Sequence, residues 1–256
     1  MREVVVIPAR LNSLRFPKKI LFNIKGLPML EHVRRRVLLS KKVDNVFIAT
    51  CDNEIKNVME SFGANVIMTS AKHLNGTSRV AEAIENIDCK NVILIQGDEP
   101  LILPNDIEYF INNVKNSSNT NAWNATGPID FETELSKETF VKCSVYNDKI
   151  LYCFRKTPSV NNFKAQKKYV RKILGIIAFN KNFLLDIVKV KPTPIEISES
   201  IEQMRIIEKG YNLKSIPFSN SQPSINKPSE VEDVLNCFDK NYEQRLILKK
   251  VLEFEI

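Results

Sequence analysis

The chain has 256 residues, of which 43% are apolar and 26% charged, with a formal net charge of +7. This length accommodates one large α/β domain with a substantial core, or two small packed domains. The longest apolar runs are far too short to span a bilayer and no signal-peptide pattern opens the chain, so we expect a cytoplasmic protein that does not enter a membrane.

The cysteine pattern and the net charge exclude few classes of protein by themselves. No CxxC pair occurs, and no cysteine lies at metal-ligand spacing from His32 or His73. The pattern predicts small buried thiols in a reducing compartment. The basic residues are spread along the chain, and such a balance suits nucleic acid, anionic lipid or a polyanionic small molecule equally well. The five cysteines are Cys51, Cys89, Cys143, Cys153 and Cys237.

Strands and helices alternate through the first hundred residues. Continuous β-branched runs predict buried strands, and apolar side chains at helical spacing predict helices. The predicted elements are a strand at 4–7, a helix at 29–40, a strand at 46–49, a helix at 53–62, a strand at 65–68, a helix at 78–87 and a strand at 92–95. We therefore predict an α/β fold with a doubly wound, mixed but mainly parallel sheet, whose ligands bind beyond the carboxyl ends of the strands.

The pattern changes after residue 120. A Lys/Asn-rich stretch at 156–169 predicts an exposed, mobile loop. The other predicted elements are short antiparallel strands at 140–145, 150–154 and 174–179, a helix at 199–209, a strand at 213–217 and a C-terminal helical segment at 229–253. We predict a single domain spanning 1–256, with a smaller inserted lobe at about 120–195.

The most informative stretch follows directly after the first predicted strand, where this architecture places its ligands. It runs from Ile7 to Lys19 and includes Arg10, Ser13 and Arg15. Guanidinium groups bind phosphate oxygens in pairs and a lysine adds a compact charge, so these residue types favour a triphosphate. The stretch has no glycine-rich phosphate cradle. The alternative interpretation is a solvated basic turn.

A carboxylate follows the fourth predicted strand, in the sequence Gln96-Gly97-Asp98-Glu99-Pro100. A carboxylate that emerges there beside a flexible glycine can hold Mg²⁺ against phosphates. The alternative is that Asp98 caps the following helix, a common role for an aspartate in a turn.

A third polar segment, at 73–79, precedes the helix predicted from residue 78. Its backbone amides and Arg79 can bind a base or a phosphate. Considered alone, the segment favours the alternative of a plain helix cap by Thr77 or Ser78.

Together, these segments resemble the CMP-Kdo synthetases (3-deoxy-manno-octulosonate cytidylyltransferases), in order and over nearly the whole chain. The resemblance is specific because several separate motifs match. The matching segments are 7–19 (family pattern IPAR-x-x-S-x-R-x-P-x-K), 25–29 (the G-x-P-M start of a helix), 75–79 (S-G-T-E-R), 96–100 (identical to Q-G-D-E-P), 194–196 (P-L-E) and 201–205 (L-E-Q-L-R).

The resemblance implies a GT-A-like nucleotidyltransferase that uses CTP and Mg²⁺, and a homodimer formed through the smaller lobe. The implied catalytic residues are Arg10, Arg15, Lys19 and Asp98, and the implied metal-binding positions are Asp98 and Asn226. The implied nucleotide-binding residues are Pro8, Ala9, Arg10, Ser13, Arg15, Lys19, Asn75, Gly76, Thr77 and Arg79. The implied acceptor-binding residues are Gln96, Arg155, Glu202 and Gln203, and Arg205 is a further candidate for pairing with an acidic group of the acceptor.

The departures from the family lie mainly in the half that binds the sugar. Residues 173–179 read ILGIIAF where the family has H-I/L-G-I-Y-G-Y, so a histidine and two tyrosine hydroxyls are replaced by apolar side chains. Residues 152–158 keep Arg155 of the family's Y-F-S-R-x-x-I-P but lose its serine. A pocket that loses hydrogen-bonding partners changes which substrate it accepts. With these changes, Kdo and an acceptor other than Kdo are equally well supported by the sequence.

The family's second metal-binding aspartate is also replaced, because the family pattern G-V-D-x-P-E-D-L appears here with Asn226 at that position. An asparagine offers a carbonyl oxygen but no charge. Mg²⁺ commonly binds one or two carboxylates together with phosphate oxygens and waters. Asp98 can therefore suffice, and the alternative is weak metal binding and a slow enzyme.

We predict a cytidylyltransferase that transfers CMP from CTP to an acidic sugar, Kdo or Kdo-like, and releases pyrophosphate for lipopolysaccharide or capsule synthesis. One alternative is the same chemistry on 8-amino-Kdo, another sugar acid or a small phosphorylated acid. A second is a nucleotide-binding homologue with weakened catalysis. Binding of nucleic acid is not expected, since no stacked aromatic residues accompany the basic loop.

Overall fold

The computed structural model describes residues 3–13, 15–43, 45–117, 119–158 and 162–254. Leu14 of the first motif and residues 159–161 of the predicted mobile loop therefore lie outside the described residues. The chain forms two compact units. The first combines residues 1–112 with 222–256, and the second runs from 113 to 221. The second unit is wider than the lobe predicted at about 120–195, because it includes the last strand and the helices before it.

The first unit contains a four-stranded parallel sheet in the order β5-β4-β1-β6. Its strands coincide with the four predicted ones within two residues at each end. Their β-branched runs are buried, as expected for a parallel sheet. The strands are β1 (Glu3–Ala9), β4 (Asn45–Thr50), β5 (Asn65–Met68) and β6 (Asn91–Ile95), and a short hairpin of β2 (Asn23–Ile24) and β3 (Leu27–Pro28) precedes the first helix.

Helices connect these strands, which confirms the predicted α/β alternation. The helices in the first part of the chain are α1 (Met29–Leu38), α2 (Asn53–Ser61), α3 (Gly76–Ala83) and α4 (Pro104–Lys115). The last part of the chain contributes α10 (Val231–Lys240) and α11 (Tyr242–Leu252). In the part of the chain that the structure describes, no helix is both long enough and apolar enough to cross a bilayer.

Helix α1 buries four charged side chains that its sequence pattern does not predict to be buried. Glu31, Arg34, Arg35 and Arg36 are all at most 6% exposed. The Glu31 carboxylate accepts hydrogen bonds from Arg34 Nε at 2.7 Å and from Arg35 Nε at 2.6 Å. Arg36 donates to a main-chain carbonyl, and its guanidinium lies 5.5 Å from the ring of Phe238. Glu31, Arg34 and Arg35 are tolerated here because they are paired, whereas burial leaves Nε and Nη2 of Arg36 without hydrogen-bond partners among the described residues and lowers the pKa of Arg36 to about 9.

The second unit contains five strands in the order β10-β7-β11-β9-β8, and β8 also pairs with β10. The pairings therefore close into a ring. They are antiparallel, as predicted, except that β11 and β7 are parallel. The strands are β7 (Ala122–Gly127), β8 (Lys142–Tyr146), β9 (Lys149–Phe154), β10 (Val170–Asn180) and β11 (Leu213–Pro217). The helices are α5 (Thr133–Ser136), α6 (Phe163–Gln166), α7 (Lys181–Ile187), α8 (Pro194–Glu199) and α9 (Gln203–Glu208).

The prediction of one exposed loop at 156–169 holds for residues 156–158, which are irregular and largely exposed, and is wrong for residues 163–169. Helix α6 forms there, and Phe163 and Tyr169 pack against a small apolar cluster. The cluster consists of Ile129, Leu135, Phe154 and Val170. This Lys/Asn-rich stretch contains two aromatic residues, and their packing against the cluster holds the ends of the stretch in place.

One predicted helix is shorter in the structure and a second is divided. The helix predicted at 199–209 is α9 (Gln203–Glu208), since Ser200 takes a left-handed conformation with a φ of 54° and ends the preceding α8, which shares only Glu199 with the predicted range. The segment predicted at 229–253 is a short 3₁₀ turn followed by α10 and α11. Asn241, with a ψ of 121°, ends α10, and its side chain caps α11 by accepting from the Gln244 N–H. Ser200 and Asn241 are both polar residues of a kind that favours helix ends.

Candidate active site

The loop after β1 carries the basic residues of the first motif. Its start is fixed to the end of the neighbouring strand, because the Leu11 N–H donates to Asp52 Oδ2 at 2.9 Å. Arg10 and Arg15 are exposed, and Ser13 is half-buried. The anchored loop thus presents two guanidinium groups to solvent beyond the carboxyl end of β1, where a ligand is expected in this class of fold.

All three predicted segments meet around Gly76. A Cβ atom at this position would lie 3.1 Å from Pro8 Cγ and 3.5 Å from Gln96 Nε2, so Gly76 contacts the ends of both β1 and β6. A second contact joins the first and third segments, since Arg10 donates to the Leu74 carbonyl at 3.4 Å. Segments that are far apart in sequence therefore form one continuous surface.

Helix α3 begins at this surface. Its cap is Asn75, whose Oδ1 accepts the Ser78 N–H at 2.9 Å. The alternative prediction of a cap by Thr77 or Ser78 is therefore wrong, and Thr77 lies in the first turn of the helix. The first N–H groups of a helix and its positive end favour a negatively charged or carbonyl-rich ligand. This end of α3 is suited to the base or to a phosphate.

Arg79 is buried and supports the site from beneath. Its guanidinium donates to Thr69 Oγ1 at 2.5 Å and lies 3.5 Å from Cys51 Sγ. It thereby ties α3 to the residues that follow β4 and β5. The predicted contact of Arg79 with the nucleotide stays a prediction, while its contacts in the structure are supporting ones.

A second link holds the segment before α3 in place. The His73 ring bonds to Glu82 of α3, whose carboxylate also accepts the Ser70 N–H at 3.0 Å. The hydrogen bond from His73 lowers the pKa of Glu82 below its ordinary value, and the hydrogen bond from Ser70 lowers it further by a smaller amount. The segment that carries Leu74 and Asn75 is thus fixed at both ends.

The strongest electrostatic contact of the site joins the first and second motifs. Lys19 Nζ lies 2.5 Å from Asp98 Oδ2, and the two side chains are 13% and 23% exposed. Lys19 also donates to the Ile225 carbonyl at 3.0 Å, while the Ile225 N–H donates to the Asp98 carbonyl. Ile225 therefore connects the late segment around Asn226 to this ion pair. The close approach depends on Gly97, where a Cβ atom would lie 2.8 Å from Ile20 Cδ1.

The residues at this point suit a divalent ion that arrives with phosphates, and do not suit a closed protein cage. Among the described residues no group of three or more acidic, histidine or cysteine side chains could hold a metal. Asp98 supplies a single carboxylate, and Asn226, adjacent to Ile225, supplies an amide oxygen. The Asn226 Nδ2 donates to Ser224 Oγ at 3.3 Å, so its amide nitrogen already has a partner. Mg²⁺ sites commonly combine one or two such ligands with phosphate oxygens and waters.

The predicted acceptor-binding residues other than Gln96 belong to the second unit. The Arg155 guanidinium donates to the main-chain carbonyls of Glu199, Glu138 and Ser200, at distances from 2.9 to 3.2 Å. Arg155 directly follows β9, so these bonds hold the end of α8 against the end of β9. An acceptor-binding role for Arg155 stays a prediction and requires exchange of at least one of these bonds.

The segment around α9 contains the other candidates. Arg205 forms a bidentate pair with Glu196, at 2.8 and 2.6 Å, so its charge is already neutralised. Gln203, at the start of α9, is half-buried and donates to Asn124 Oδ1 at 3.1 Å. Glu202 is half-buried and precedes the helix. Gln96, Arg155 and Arg205 are half-buried as well, so exposure does not distinguish the acceptor candidates from one another.

Sequence reasoning missed several residues that build the site. Asp52 follows the second predicted strand, and an aspartate at a strand end was an available signal for it. Ile225 and Asn124 gave no signal, because the first acts through main-chain atoms and the second through a contact with a residue far along the chain.

A parallel sheet with a basic loop after its first strand, a helix amino terminus beside it and an acid after the fourth strand defines a nucleotide-binding α/β protein. Comparison with known proteins identifies a family within this class. The family model described as cytidylyltransferase matches residues 4–216. The chain is 35% identical over 239 residues to the 3-deoxy-manno-octulosonate cytidylyltransferase of Zea mays, covering 91% of this chain and 80% of that protein.

Two further matches agree with this assignment. The enzyme of the same name from Thermodesulfovibrio yellowstonii is 34% identical over 255 residues, covering 93% of this chain and 99% of that protein. A solved structure of CMP:2-keto-3-deoxy-manno-octonic acid synthetase in complex with CTP has a TM-score of 0.86 and 30% identity, and the match covers 94% of this chain and 99% of that one. The chain belongs to the cytidylyltransferase family, and the predicted nucleotidyltransferase fold is confirmed.

Proposed function

We propose that this protein transfers CMP from CTP to Kdo or a Kdo-like acidic sugar and releases pyrophosphate. The product would serve the synthesis of a bacterial surface glycan, lipopolysaccharide or capsule. The observation that carries the proposal is the convergence of the basic loop, the start of α3 and the Lys19–Asp98 pair, in a chain whose solved relative is described with CTP.

The residues of the first unit would bind CTP. Arg10, Arg15 and Lys19 would bind the phosphates, with the Ser13 hydroxyl as an additional donor. The backbone N–H groups at the start of α3, near Gly76, would bind the base or a phosphate. Pro8 and Ala9 end β1 and form the floor of this surface, and Gly76 keeps the surface open because it has no side chain.

Cytidylyltransferases of this kind typically use a divalent metal, and we propose Mg²⁺ for this one. Asp98 and the amide oxygen of Asn226 would hold it, and the bound ion would neutralise charge on the phosphate oxygens. Lys19 would lie next to Asp98 and the phosphates. Lys227, which follows Asn226, would add positive charge beside the phosphates and partly replace the effect of the metal.

The reaction needs no nucleophile from the protein, because catalysis rests on positioning and electrostatic stabilisation. An acceptor oxygen attacks the α-phosphorus of CTP, the new O–P bond forms, and the bond to pyrophosphate breaks. Gln96, Glu202 and Gln203 would hydrogen-bond the acceptor. Arg155 would pair with its carboxylate after releasing a main-chain carbonyl.

A different acceptor is the second candidate, and the 173–179 segment favours it. Ile177 and Phe179 are buried and Ile173 is half-buried in β10, where the family pattern has two tyrosines and a histidine. We propose 8-amino-Kdo, another 2-keto sugar acid or a small phosphorylated acid as the alternatives. A catalytically weakened homologue is the remaining alternative, for which Asn226 is the relevant residue.

Pyrophosphate release from CTP and Mg²⁺ tests these proposals against a panel of acceptors. The panel contains Kdo, 8-amino-Kdo, other 2-keto sugar acids and small phosphorylated acids. Robust release with one compound identifies the acceptor. Absence of release with every compound, together with measurable CTP binding, would contradict the proposed transfer. Asn226→Asp then separates the causes, since recovery of release would locate the defect at the metal site.

We also propose that the protein is a cytoplasmic homodimer. Light scattering coupled to size-exclusion chromatography measures the mass directly, and a mass of one chain, about 29.4 kDa, would contradict the dimer.

A further inference from the structure

A buried amide, Asn124 of β7, lies at the centre of a hydrogen-bond network in the second unit. The side chain is 0% exposed. Its Nδ2 donates to the carbonyl of Ala125 at 2.8 Å and to the carbonyl of Leu174 at 3.0 Å. Main-chain carbonyls only accept hydrogen bonds. The atom of Asn124 that faces both carbonyls must therefore be the amide nitrogen, and Oδ1 must lie on the other side.

This assignment fixes the next amide in the network. Asn124 Oδ1 is 3.1 Å from the amide nitrogen of Gln203. The opposite orientation of Gln203 would bring two amide oxygens together, without a proton between them. Gln203 therefore directs Nε2 toward Asn124, and directs Oε1, which can only accept, away from it.

We propose that Asn124 is a positioning residue for the acceptor substrate, and that it makes Gln203 a hydrogen-bond acceptor at the acceptor site. The substrate group that meets Gln203 Oε1 is then a donor, a hydroxyl or an amino group, and a carboxylate facing that oxygen is disfavoured. This inference rests on the proposed function for the location of the acceptor, and on the geometry of the second unit for the orientation of Gln203.

The same asparagine connects Gln203 to the segment in which this chain departs from its family. Leu174 lies where the pairing of β10 with β7 shifts register, between Ile173 and Ile177. Its carbonyl would lack a regular ladder partner there, and Asn124 supplies one. One side chain thus bonds to both the Leu174 carbonyl and Gln203, so the local conformation at Leu174 and the orientation of Gln203 are expected to change together.

Burial of an amide is costly unless its hydrogen bonds are satisfied, so Asn124 also has a structural role. The experiment must separate this role from positioning. Thr126→Val is the matched control, because Thr126 is a buried polar residue of the same strand whose hydroxyl bonds to Ser215 and Arg171 and not to Gln203. We expect Thr126→Val to lower the melting temperature and to leave the KM for Kdo within about twofold of the wild type.

Three variants test the proposal by steady-state pyrophosphate release with Kdo as the probe. Asn124→Leu removes the orienting oxygen, and we expect the KM for Kdo to rise about tenfold, with the KM for CTP unchanged. Gln203→Leu should raise the KM for Kdo similarly. The KM for Kdo of the double variant should be no higher than that of Gln203→Leu alone, since the proposal has Asn124 act on the acceptor through Gln203. Additive losses, or equal changes in both KM values, would overturn the proposal.

Asn124→Asp gives a signature that a purely structural role does not predict. A protonated carboxyl can donate to one carbonyl and accept from Gln203, as the amide does, whereas the ionised form repels both carbonyls. Relative to wild type at each pH, the KM for Kdo should be near normal at low pH and should rise as the introduced carboxyl ionises. A ratio independent of pH would contradict the assignment.

Failure of the proposed function is distinguishable from failure of this inference. If the wild type does not turn over Kdo, the proposed function fails for that acceptor. The orientation is then measured by the NMR signals of the Gln203 side-chain amide, identified by their loss in Gln203→Leu. Slow hydrogen exchange in the wild type and fast exchange in Asn124→Leu support the proposal, and equal exchange in both overturns it.

Discussion

The charged side chains of the nucleotide site differ in how firmly the protein holds them. Lys19 is bound to Asp98 and to the Ile225 carbonyl, so it is fixed before any ligand arrives. Arg10 has a long contact of 3.4 Å with a carbonyl, and Arg15 is exposed. With the proposed function, the site would combine one preorganised charge with two that adapt to the phosphates.

Replacing Arg15 tests this division of roles. We expect Arg15→Ala to lower kcat/KM for CTP by about 10²-fold, because a guanidinium that contacts transferring phosphates is lost. Lys18→Ala is the matched control, since Lys18 lies in the same loop but pairs with Glu54 at 2.7 Å. Its kcat/KM should stay within about twofold of the wild type. Unchanged kinetics in Arg15→Ala would contradict the proposal that this loop binds the triphosphate.

His32 in α1 makes the stability of the first unit depend on pH. Burial, aided by the nearby charges of Arg36 and Arg35, lowers its pKa to about 4, against a bond with the Ile24 carbonyl that raises it. The unfolded chain binds this proton near pH 6.5. His32 therefore contributes stability above pH 6.5, and this contribution, about 3 kcal/mol, is lost as the pH falls toward 4.

Urea unfolding of the wild type and of His32→Gln measures this contribution. We expect the stability of the wild type relative to the variant to fall by up to about 3 kcal/mol between pH 7 and pH 4. Asp106, whose pKa burial raises to about 6, acts in the opposite direction, but it is present in both proteins and cancels. A difference that does not change with pH would show that His32 is not the titrating group.

At the scale of an element, α1 shows how a helix can bury charge by pairing it. Glu31 lies within bonding distance of two arginines, three and four residues along the helix, and all three side chains are nearly inaccessible. Burial of ions is costly, and removal of one partner leaves the others uncompensated. The pairs are therefore a vulnerable point of the helix.

Glu31→Gln should lower the free energy of unfolding by about 3 to 5 kcal/mol, since two buried guanidinium groups lose their counter-charge. Glu60→Gln in α2 is the control. Glu60 is an exposed partner of Lys56 at 4.0 Å, and its loss should cost less than about 1 kcal/mol. Similar losses in the two variants would mean that the α1 pairs contribute no more than surface pairs.

At the scale of the whole molecule, each unit brings together residues that are distant in sequence. In the first unit Pro8, Gly76 and Gln96 meet at the ends of two strands, and the late Ile225 joins Lys19 and Asp98. In the second unit the strands pair in a ring. A sequence can supply each of these parts separately, but their contact depends on closure of the fold.

Gly76→Ala tests the convergence in the first unit. An added methyl group would stand 3.1 Å from the rigid ring of Pro8, so the segments must separate by a few tenths of an ångström. We expect the KM for CTP to rise several-fold, roughly as for loss of one hydrogen bond, although alanine favours the helix that starts there. An unchanged KM and a higher melting temperature would show that the close contact is not needed for CTP.

The sequence by itself determined the four parallel strands, the helices between them and the motifs at the strand ends, because β-branched runs, helical spacing and turn residues are local signals. It also indicated Arg10, Arg15 and Asp98 as site residues. Only the tertiary structure decided that Arg79 lies beneath the site, that Asn75 caps α3, that Phe163 and Tyr169 anchor a polar stretch, and that Asn124 orients Gln203. Apart from the Asn75 cap, which is a local bond with Ser78 three residues on, these features are contacts between residues well separated in the chain, and a local pattern carries no information about which distant groups satisfy a buried charge or a hydrogen bond.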